Sequence, residues 1–286
     1  MEAALWTLAA TLIGGLASFV QKVIAHERRS SALNGMFMYA GPSIAALVAL
    51  PFLGVPISWQ LVTLYSVLMG VIYAVGNYLR IEGLKHIDSV IFFPLNKVFG
   101  PPLVIAASII FLGESLTWIQ LIGVVLSITV PLLLISRSEK HRQNNLTLGL
   151  ILLAISTVLI AASQVIAKVG LTLDQSIFFM MGISQIAGFI VSMGIHVYSH
   201  TEENHMASFA KRRDWELGIL SAVLSVFALY ALFKAISIGQ LSLVYTIHAH
   251  YILIPIILSV WWYGEHINFR KFAAVVVSFL AIALLI

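Results

Sequence analysis

The chain has 286 residues, of which 60% are hydrophobic and only 10% are charged. Soluble domains carry about 25% charged residues, so this composition excludes a soluble protein and predicts a chain surrounded by lipid. The formal net charge of +4 comes from Lys and Arg spread over many short segments, which argues against nucleic acid as a partner. The chain has no Cys, which excludes disulfides, thiolate metal sites and a Cys nucleophile.

Ten apolar stretches are each long enough to cross a bilayer as a helix, which takes roughly 20 residues. Helices are the expected form, because an open strand edge would leave backbone groups without hydrogen-bonding partners in lipid. The first stretch lacks the preceding basic segment of a secretory signal, and we expect it to remain as a span. The predicted spans lie near residues 4–24, 33–53, 59–81, 88–112, 118–136, 147–169, 176–198, 215–237, 240–263 and 268–286.

The two halves of the chain repeat each other. Eleven residues between positions 75 and 134 are identical to the residues 151 positions later, and the alignment needs no gap. The residues that recur are Val75, Ile87, Ile105, Ser108, Gly113, Glu114, Val124, Val125, Ser127, Leu133 and Leu134. Duplicated hydrophobic segments are typical of secondary transporters, whose binding site lies between the halves. We therefore predict an all-α membrane protein with ten transmembrane helices in two inverted five-helix repeats, residues 1–136 and 146–286, joined by a polar connector at 137–145.

The basic residues predict how the repeats are oriented. Five spans in each half mean that the second half enters the membrane in the opposite direction. Of the 16 Lys and Arg, 12 follow odd-numbered spans. These residues are Arg28, Arg29, Arg80, Lys85, Arg137, Lys140, Arg142, Lys211, Arg212, Arg213, Arg270 and Lys271. The positive-inside rule then places their loops in the cytoplasm and both termini outside, in a multi-pass protein of the cytoplasmic (inner) membrane.

Each half ends its fourth span with Gly-Glu, as Phe-Leu-Gly-Glu at 111–114 and Trp-Tyr-Gly-Glu at 262–265. Lys22 and Lys168 lie late in the first span of each half. Over nearly the whole chain, this pattern resembles the drug/metabolite transporter superfamily, in its EamA-like family. The resemblance implies a transporter of small organic solutes with a central cavity. The orientation departs from many relatives, whose termini are cytoplasmic.

Lys97 is the most informative single residue, because it lies near the middle of span 4 with Asn96 beside it. A charge at mid-bilayer costs at least about 3 kcal/mol on insertion scales, so it is expected to face water or a partner. The repeat offset pairs Lys97 with His248 in span 9. We interpret the pair as flanking a central cavity that binds an anionic group. The alternative is that Lys97 bonds helix carbonyls or Asn96 for structure alone.

Prolines near both residues favour interrupted helices. Pro94, Pro101 and Pro102 flank Lys97, and Pro255 follows His248 by seven residues. Proline removes a helical hydrogen bond and clashes with the preceding turn. Interrupted helices at matching positions point to a transporter's binding site. We therefore expect span 4 to kink or break beside Lys97.

Other polar residues complete the predicted substrate site. Helical spacing places Tyr245, His248 and Ile252 on one face of span 9. His248 titrates near physiological pH and is a candidate for proton coupling, with a neutral structural His as the alternative. Gln164 and Ser18 occupy matched positions and would bond either the solute or neighbouring helices, the latter worth about 0.6 kcal/mol each. The predicted substrate-binding residues are Lys97, Asn96, His248, Tyr245, Gln164 and Ser18.

Missing features narrow the function. No Asp or Glu lies in the middle of a span, which disfavours export of cationic drugs. Glu114 and Glu265 end spans, and we expect them to be structural, near the N-terminus of the following helix. Phosphate-binding loops and hydrolase motifs are absent, so we expect no enzyme activity, ATP motor, metal or cofactor.

The sequence thus predicts a secondary transporter for a small polar or anionic organic metabolite, such as an amino acid or related solute. It would act by alternating access without ATP, as a monomer or homodimer in the lipid bilayer. One alternative is a flippase or exporter of a lipid-linked or amphipathic compound on the same scaffold. The other is a receptor or intramembrane enzyme, which the absence of catalytic motifs and soluble modules disfavours.

Overall fold

The computed structural model describes residues 1–27, 31–53, 58–84, 86, 89–134, 145–174, 176–199, 212–264 and 268–286. Within these ranges the chain forms eleven α-helices and one 3₁₀ turn, with no strand. The helices are α1 (Glu2–His26), α2 (Ser31–Leu53), α3 (Trp59–Leu84), α4 (Ser89–Leu112), α5 (Trp118–Leu134), α6 (Leu146–Leu173), α7 (Ile177–Ser199), α8 (Arg212–Ile238), α9 (Leu241–His248), α10 (Leu253–Tyr263) and α11 (Phe269–Leu285), with the 3₁₀ turn at Ala249–Ile252. Glu265 and most of the polar connector lie outside the described residues.

All ten predicted stretches fold as helix. The ninth is divided into α9, the 3₁₀ turn and α10, and the others are single helices. In the described part of the chain, eight stretches are long and apolar enough to cross a membrane. The helices α5 and α11 are shorter, at 17 residues each, or about 26 Å of helix. The chain is therefore an all-helical, multi-pass membrane protein.

The outer surface of the helices is apolar, and polar side chains lie inside. Ile110, Trp118 and Phe279 are each more than 70% exposed. A surface of this kind suits lipid and would aggregate in water. Inside, hydroxyl groups donate to a carbonyl one turn back in their own helix, as Ser66 does to Val62 at 2.6 Å. These bonds satisfy most buried hydroxyls without any water.

Helix neighbours keep the same pattern when the two halves are exchanged. α3 packs on α6, and its counterpart α8 packs on α1. α3 also contacts α7 as α8 contacts α2, and α4 contacts α6 as α9 and α10 contact α1. The contacts of α2 with α7 and of α5 with α11 pair each helix with its own counterpart. The two repeats therefore interlock, and the middle of the molecule is built from both.

One end of the helix bundle carries most of its described positive charge. Arg213 Nη2 lies 3.3 Å from Glu27 Oε1, which joins the start of α8 to the end of α1. His26 stacks on Tyr263 with ring centroids 4.6 Å apart, so α10 ends here too. We call this the basic end. α4, α6 and α8 finish at the opposite end, where α9 begins.

Matched glycines end the fourth span of each half in the same backbone conformation. Gly113 follows α4 with φ 67°, and Gly264 follows α10 with φ 66°. This left-handed region suits glycine because a Cβ would clash with the backbone there. The glycine of the recurring Gly-Glu is therefore favoured by the backbone, because the helix ends there in a left-handed conformation.

We predicted that span 4 would kink or break beside Lys97, and a break is wrong, since α4 is continuous from Ser89 to Leu112; the kink stays a prediction. Pro101 and Pro102 carry no N–H, so the carbonyls of Lys97 and Val98 lose their helical donors without ending the helix. Membrane helices tolerate such gaps where neighbouring groups replace the lost bonds.

The interruption occurs in the second half instead, where the 3₁₀ turn directly follows His248. Pro255 lies just after this turn and cannot donate to the carbonyl of Tyr251, four residues earlier. The Leu253 N–H donates to the His250 and Tyr251 carbonyls, which tightens the backbone. Proline thus reshapes span 9 and leaves α4 intact.

Candidate functional site

Lys97 points its ammonium group at an aromatic ring from the other repeat. Its Nζ lies 4.2 Å from the ring centroid of Tyr251, in the 3₁₀ turn. A cation over a ring face is stabilised by about 2 kcal/mol or more when water is excluded. Among the described residues, Lys97 forms no ion pair with a carboxylate. The charge is therefore stabilised by the ring, and no described carboxylate neutralises it.

His248 belongs to the same cluster. Its ring centroid lies 5.3 Å from that of Tyr251. Its Cε1 faces α1 at Gly14, where an added Cβ would lie 3.3 Å away. The Nδ1 atom is buried and has no hydrogen-bond partner. A buried polar atom without a partner costs about 1–3 kcal/mol, so this nitrogen is suited to meet a ligand.

The 3₁₀ turn changes which residue shares a face with His248. We predicted Ile252 from α-helical spacing, but Tyr251 stacks on His248, and Ile252 packs against a cluster around Val130, Leu253 and Ala274. A 3₁₀ helix has 3.0 residues per turn, so residues three apart lie on one face. The predicted face is therefore wrong beyond His248, and Tyr251 is a site residue that the helical pattern missed.

Asn96 and Tyr245 meet α6 on the other side of Lys97. Asn96 Nδ2 donates to Thr157 Oγ1 at 3.0 Å. A Cβ added to Gly100 would lie 3.8 Å from the Tyr245 hydroxyl and 4.0 Å from Thr157 Cγ2. α4, α6 and α9 therefore converge here through small or polar residues.

Gln164 and Ser18 lie at the edge of this cluster. Gln164 is seven residues from Thr157 and so on the same face of α6, and its buried Oε1 has no partner. Ser18 donates to the Gly14 carbonyl at 2.9 Å, one turn from the contact of Gly14 with His248. The structure thus brings together Asn96, Lys97, Tyr245 and His248, with Gln164 and Ser18 about one to two turns away.

α3 contributes a polar stripe that the sequence analysis did not single out. Tyr73, Asn77 and Arg80 are spaced four and three residues apart and share one face. Asn77 Nδ2 donates to the Tyr39 hydroxyl at 3.5 Å. Asn77 Oδ1 and Arg80 Nε are buried without a partner. The spacing was visible in the sequence, but we counted Arg80 only as an orienting charge.

Glu114 is a structural residue with a partner that we did not predict. Its carboxylate accepts bonds from the Leu241 N–H at 2.6 Å, the Ser242 N–H at 2.9 Å and the Ser242 hydroxyl at 2.6 Å. These groups form the N-terminus of α9, in the other repeat. The predicted target, the next helix α5, is instead capped by Thr117 and Gln120. Glu114 therefore joins the two halves at the opposite end.

The matched lysines have unmatched partners. Lys22 Nζ donates to Ser259 Oγ in α10 at 2.6 Å, across the two repeats. Lys168 Nζ stays within its own repeat and donates to two carbonyls at the end of α8, both at 2.7 Å. Ser108, the counterpart of Ser259, keeps a buried hydroxyl without a partner. The two ends of the molecule are therefore held differently.

A cavity of about 310 Å³ opens at the opposite end, between the ends of α2 and α8 and the start of α7. Tyr230 and Lys234 are among its lining residues, which include none of the predicted site residues. The chemistry that we predicted therefore does not lie in this cavity.

Comparison with known proteins places the chain in a family. Residues 1–136 and, separately, residues 147–286 match the EamA-like transporter family. The chain belongs to this family. The resemblance in the Gly-Glu pattern is thereby confirmed, and this EamA-like protein is a membrane transporter with two family repeats.

Two individual matches show how long a relative is and which fold the chain shares. An uncharacterized protein of Methanocaldococcus jannaschii is 28% identical over 130 residues, which are 44% of this chain and 89% of that protein. That relative is therefore about half as long as this chain. A solved crystal structure superposes with a TM-score of 0.76 over 99% of this chain and 95% of its own, at 13% identity. This likeness shows a shared fold.

We predict that Glu114→Gln lowers stability by about 1.5–3 kcal/mol, because it removes the charge that three donors of α9 share. The measurement is the unfolding transition in detergent, followed by the fluorescence of the six tryptophans. Glu216→Gln is the matched control, since its ion pairs with Arg212 and Arg213 are exposed and such pairs contribute little. Equal effects of the two variants would contradict the assigned role.

Proposed function

We propose that this EamA-like transporter moves a small polar or anionic organic metabolite across the cytoplasmic membrane by alternating access, without ATP. The observation that carries the proposal is the un-neutralised Lys97, about eight residues into α4 and therefore roughly 12 Å from its start. A charge at that depth is costly unless it serves a ligand or a wet path.

The residues around Lys97 take complementary roles in this proposal. The ammonium group attracts a carboxylate or phosphate of the solute. Asn96, Tyr245 and Gln164 provide hydrogen bonds to its polar groups, and Ser18 lies beside the path. In the free state the ammonium rests on the ring of Tyr251, so a bound anion replaces one stabilising contact with a stronger, charge-assisted one.

The directions of the helices support inverted repeats. α1 runs toward the basic end, where Glu27 meets the start of α8. Its counterpart α6 runs away from that end, since Lys168 near its end bonds carbonyls at the end of α8. Repeats inserted in opposite directions can exchange conformations, which would open the central site to each side in turn.

The unequal partners of the matched lysines support two alternating states. If the halves exchange conformations, the bond of Lys22 to Ser259 would break as Lys168 gains Ser108. The unpartnered Ser108 hydroxyl is then a vacant acceptor for the second state. One fixed conformation of two equal halves would not be expected to treat matched residues so differently.

His248 is our candidate for carrying a coupling proton. Its ring stacks on Tyr251, which Lys97 also contacts. Its Nδ1 is buried without a hydrogen-bond partner. His250 also has a buried nitrogen without a partner, Nε2, but its Nδ1 lies 3.0 Å from the Thr246 carbonyl, and the ring that contacts Lys97 stacks on His248, so His250 is the poorer candidate. Protonation of His248 would place a second positive charge at the site and strengthen anion binding.

We predict that Lys97→Gln weakens binding of the transported anion by about tenfold or more, since a bond to a charged partner is worth about 1.5–3 kcal/mol. The solute is first selected by ligand-dependent thermal shift from amino acids, sugar phosphates and nucleobases. Its flux into proteoliposomes is then measured, with Lys271→Gln at the start of α11 as control. Unchanged anion flux in Lys97→Gln would remove Lys97 from the mechanism. A lipid-scrambling assay on the same vesicles tests the flippase alternative.

Alternating access predicts that Ser259→Ala favours the state open at the basic end, because Lys22 loses an acceptor in the other repeat. The chain has no Cys, so a single cysteine introduced at position 18 or 164 can be labelled selectively. Position 18 reports access from the basic end, and position 164 reports access from the opposite end. Labelling at position 18 should rise and labelling at 164 should fall. Ser108→Ala is the comparison variant: its hydroxyl has no partner in this state and would accept from Lys168 in the second, so labelling at position 18 should stay the same or fall. Unaltered labelling in Ser259→Ala would argue against the lysine contact as a determinant of state.

Proton coupling predicts that His248→Asn abolishes solute accumulation driven by a pH gradient while leaving downhill exchange. Asn keeps a hydrogen-bonding side chain but cannot titrate. His250→Asn should remain coupled, because the Nδ1 of that ring bonds backbone carbonyls one turn back and His248 is the histidine that stacks on Tyr251. Accumulation in vesicles with an imposed pH gradient is the measurement, and gradient-driven uptake by His248→Asn would exclude His248 as the carrier.

A further inference from the structure

Arg80 carries a second interior charge that the proposed function does not use. Arg80 lies four residues before Leu84, the last residue of α3. Its Nε is buried without a hydrogen-bond partner, and among the described residues it has no ion pair. A guanidinium has five donors and keeps its charge in proteins. One that lacks partners inside a membrane protein indicates a wet space or a ligand.

Arg80 lies on the face of α3 that turns into the bundle. One turn earlier on that face, Asn77 Nδ2 donates to the Tyr39 hydroxyl of α2 at 3.5 Å, and the Nε of Arg80 is itself buried. α3 and α4 meet the same stretch of α6, because a Cβ added to Gly76 would lie 3.4 Å from the Ser156 carbonyl oxygen and Thr157 accepts a bond from Asn96. Arg80 lies one turn beyond Gly76 and Lys97 follows Asn96, so both cations lie near this stretch of α6.

The two cations stand at different depths. Arg80 is roughly 6 Å from the end of α3, and Lys97 is roughly 12 Å from the start of α4, at 1.5 Å per residue. Arg80 is therefore the nearer of the two to the basic end. Neither cation is paired with a carboxylate in the described part of the chain, so no described carboxylate offsets the two charges.

We propose that Arg80 and Lys97 form a two-point site for a small organic dianion, such as a dicarboxylate or a phosphorylated carboxylic acid. Arg80 binds one anionic group through its planar fork, which matches carboxylate and phosphate geometry. Lys97 binds the other group deeper in the bundle. This inference rests on the proposed function and narrows its substrate class. A zwitterionic solute would place its ammonium group against one of the two cations.

The test compares dianions with their monoanionic counterparts on the purified full chain. Succinate is compared with monomethyl succinate, and phosphoglycolate with glycolate, by calorimetry or thermal shift. We expect the dianion of at least one pair to bind about tenfold or more tightly than its counterpart. Arg80→Gln should reduce this preference to about onefold and leave monoanion binding within about twofold. Lys97→Gln should weaken both members of the pair, and Arg270→Gln, at the start of α11, should change neither.

A second measurement avoids substitution of a buried arginine. The bound dianion should protect Arg80 from modification by phenylglyoxal, as read by mass spectrometry, and leave Arg270 reactive. A dianion preference that persists in Arg80→Gln, no preference in the unmodified chain, or no protection of Arg80 would each overturn the inference. Transport of a neutral or zwitterionic solute that depends on Lys97 would also overturn it, while the proposed function stands. Flux that survives Lys97→Gln would instead count against the proposed function.

Discussion

Lipid offers no hydrogen-bonding partner to a backbone or side-chain polar group, and every level of this structure follows from that constraint. It makes the described chain helical and turns its apolar side chains outward. It directs hydroxyl groups back to the carbonyls of their own helices. It also keeps the charge of Lys97 away from the lipid-facing surface, so that its ammonium group is stabilised by the protein, on the ring of Tyr251. The polar atoms left over, such as His248 Nδ1 and Gln164 Oε1, mark where a solute could complete the bonding.

Duplication gives these interior groups their arrangement. Each repeat leaves one side of its helices uncovered, and the other repeat covers it, so that contacts recur when the halves are exchanged. Glu114 ties the end of one fourth span to the start of the other, while Lys22 ties α1 to α10. The relative in Methanocaldococcus jannaschii, about half as long as this chain, has the size of one such unit. Lys22 and Lys168, which match between the repeats, bond different partners, and the proposed alternation of two states rests on this asymmetry.

Much of the fold was predictable, because hydrophobic length and internal repetition are properties of the chain itself. The ten helical stretches and the stop at each Gly-Glu follow from the order of residues. The site was predictable only in part. The repeat offset paired Lys97 with His248, but the ring between them was missed, since a uniform helix would place Ile252 on that face and not Tyr251. Arg80 was missed for a different reason: a basic residue near a span end is equally well explained by the positive-inside rule.

The sequence by itself determined that the chain lies in lipid, that it repeats and that a cation stands at mid-depth, because composition, periodicity and spacing need no knowledge of neighbours. Only the tertiary structure decided which groups meet that cation. One proline accompanies the interruption of span 9, whereas α4 stays continuous with three, since the outcome depends on the groups that replace each lost hydrogen bond. Lys22 and Lys168, equivalent along the chain, bond different partners because helices remote in sequence pack differently at the two ends.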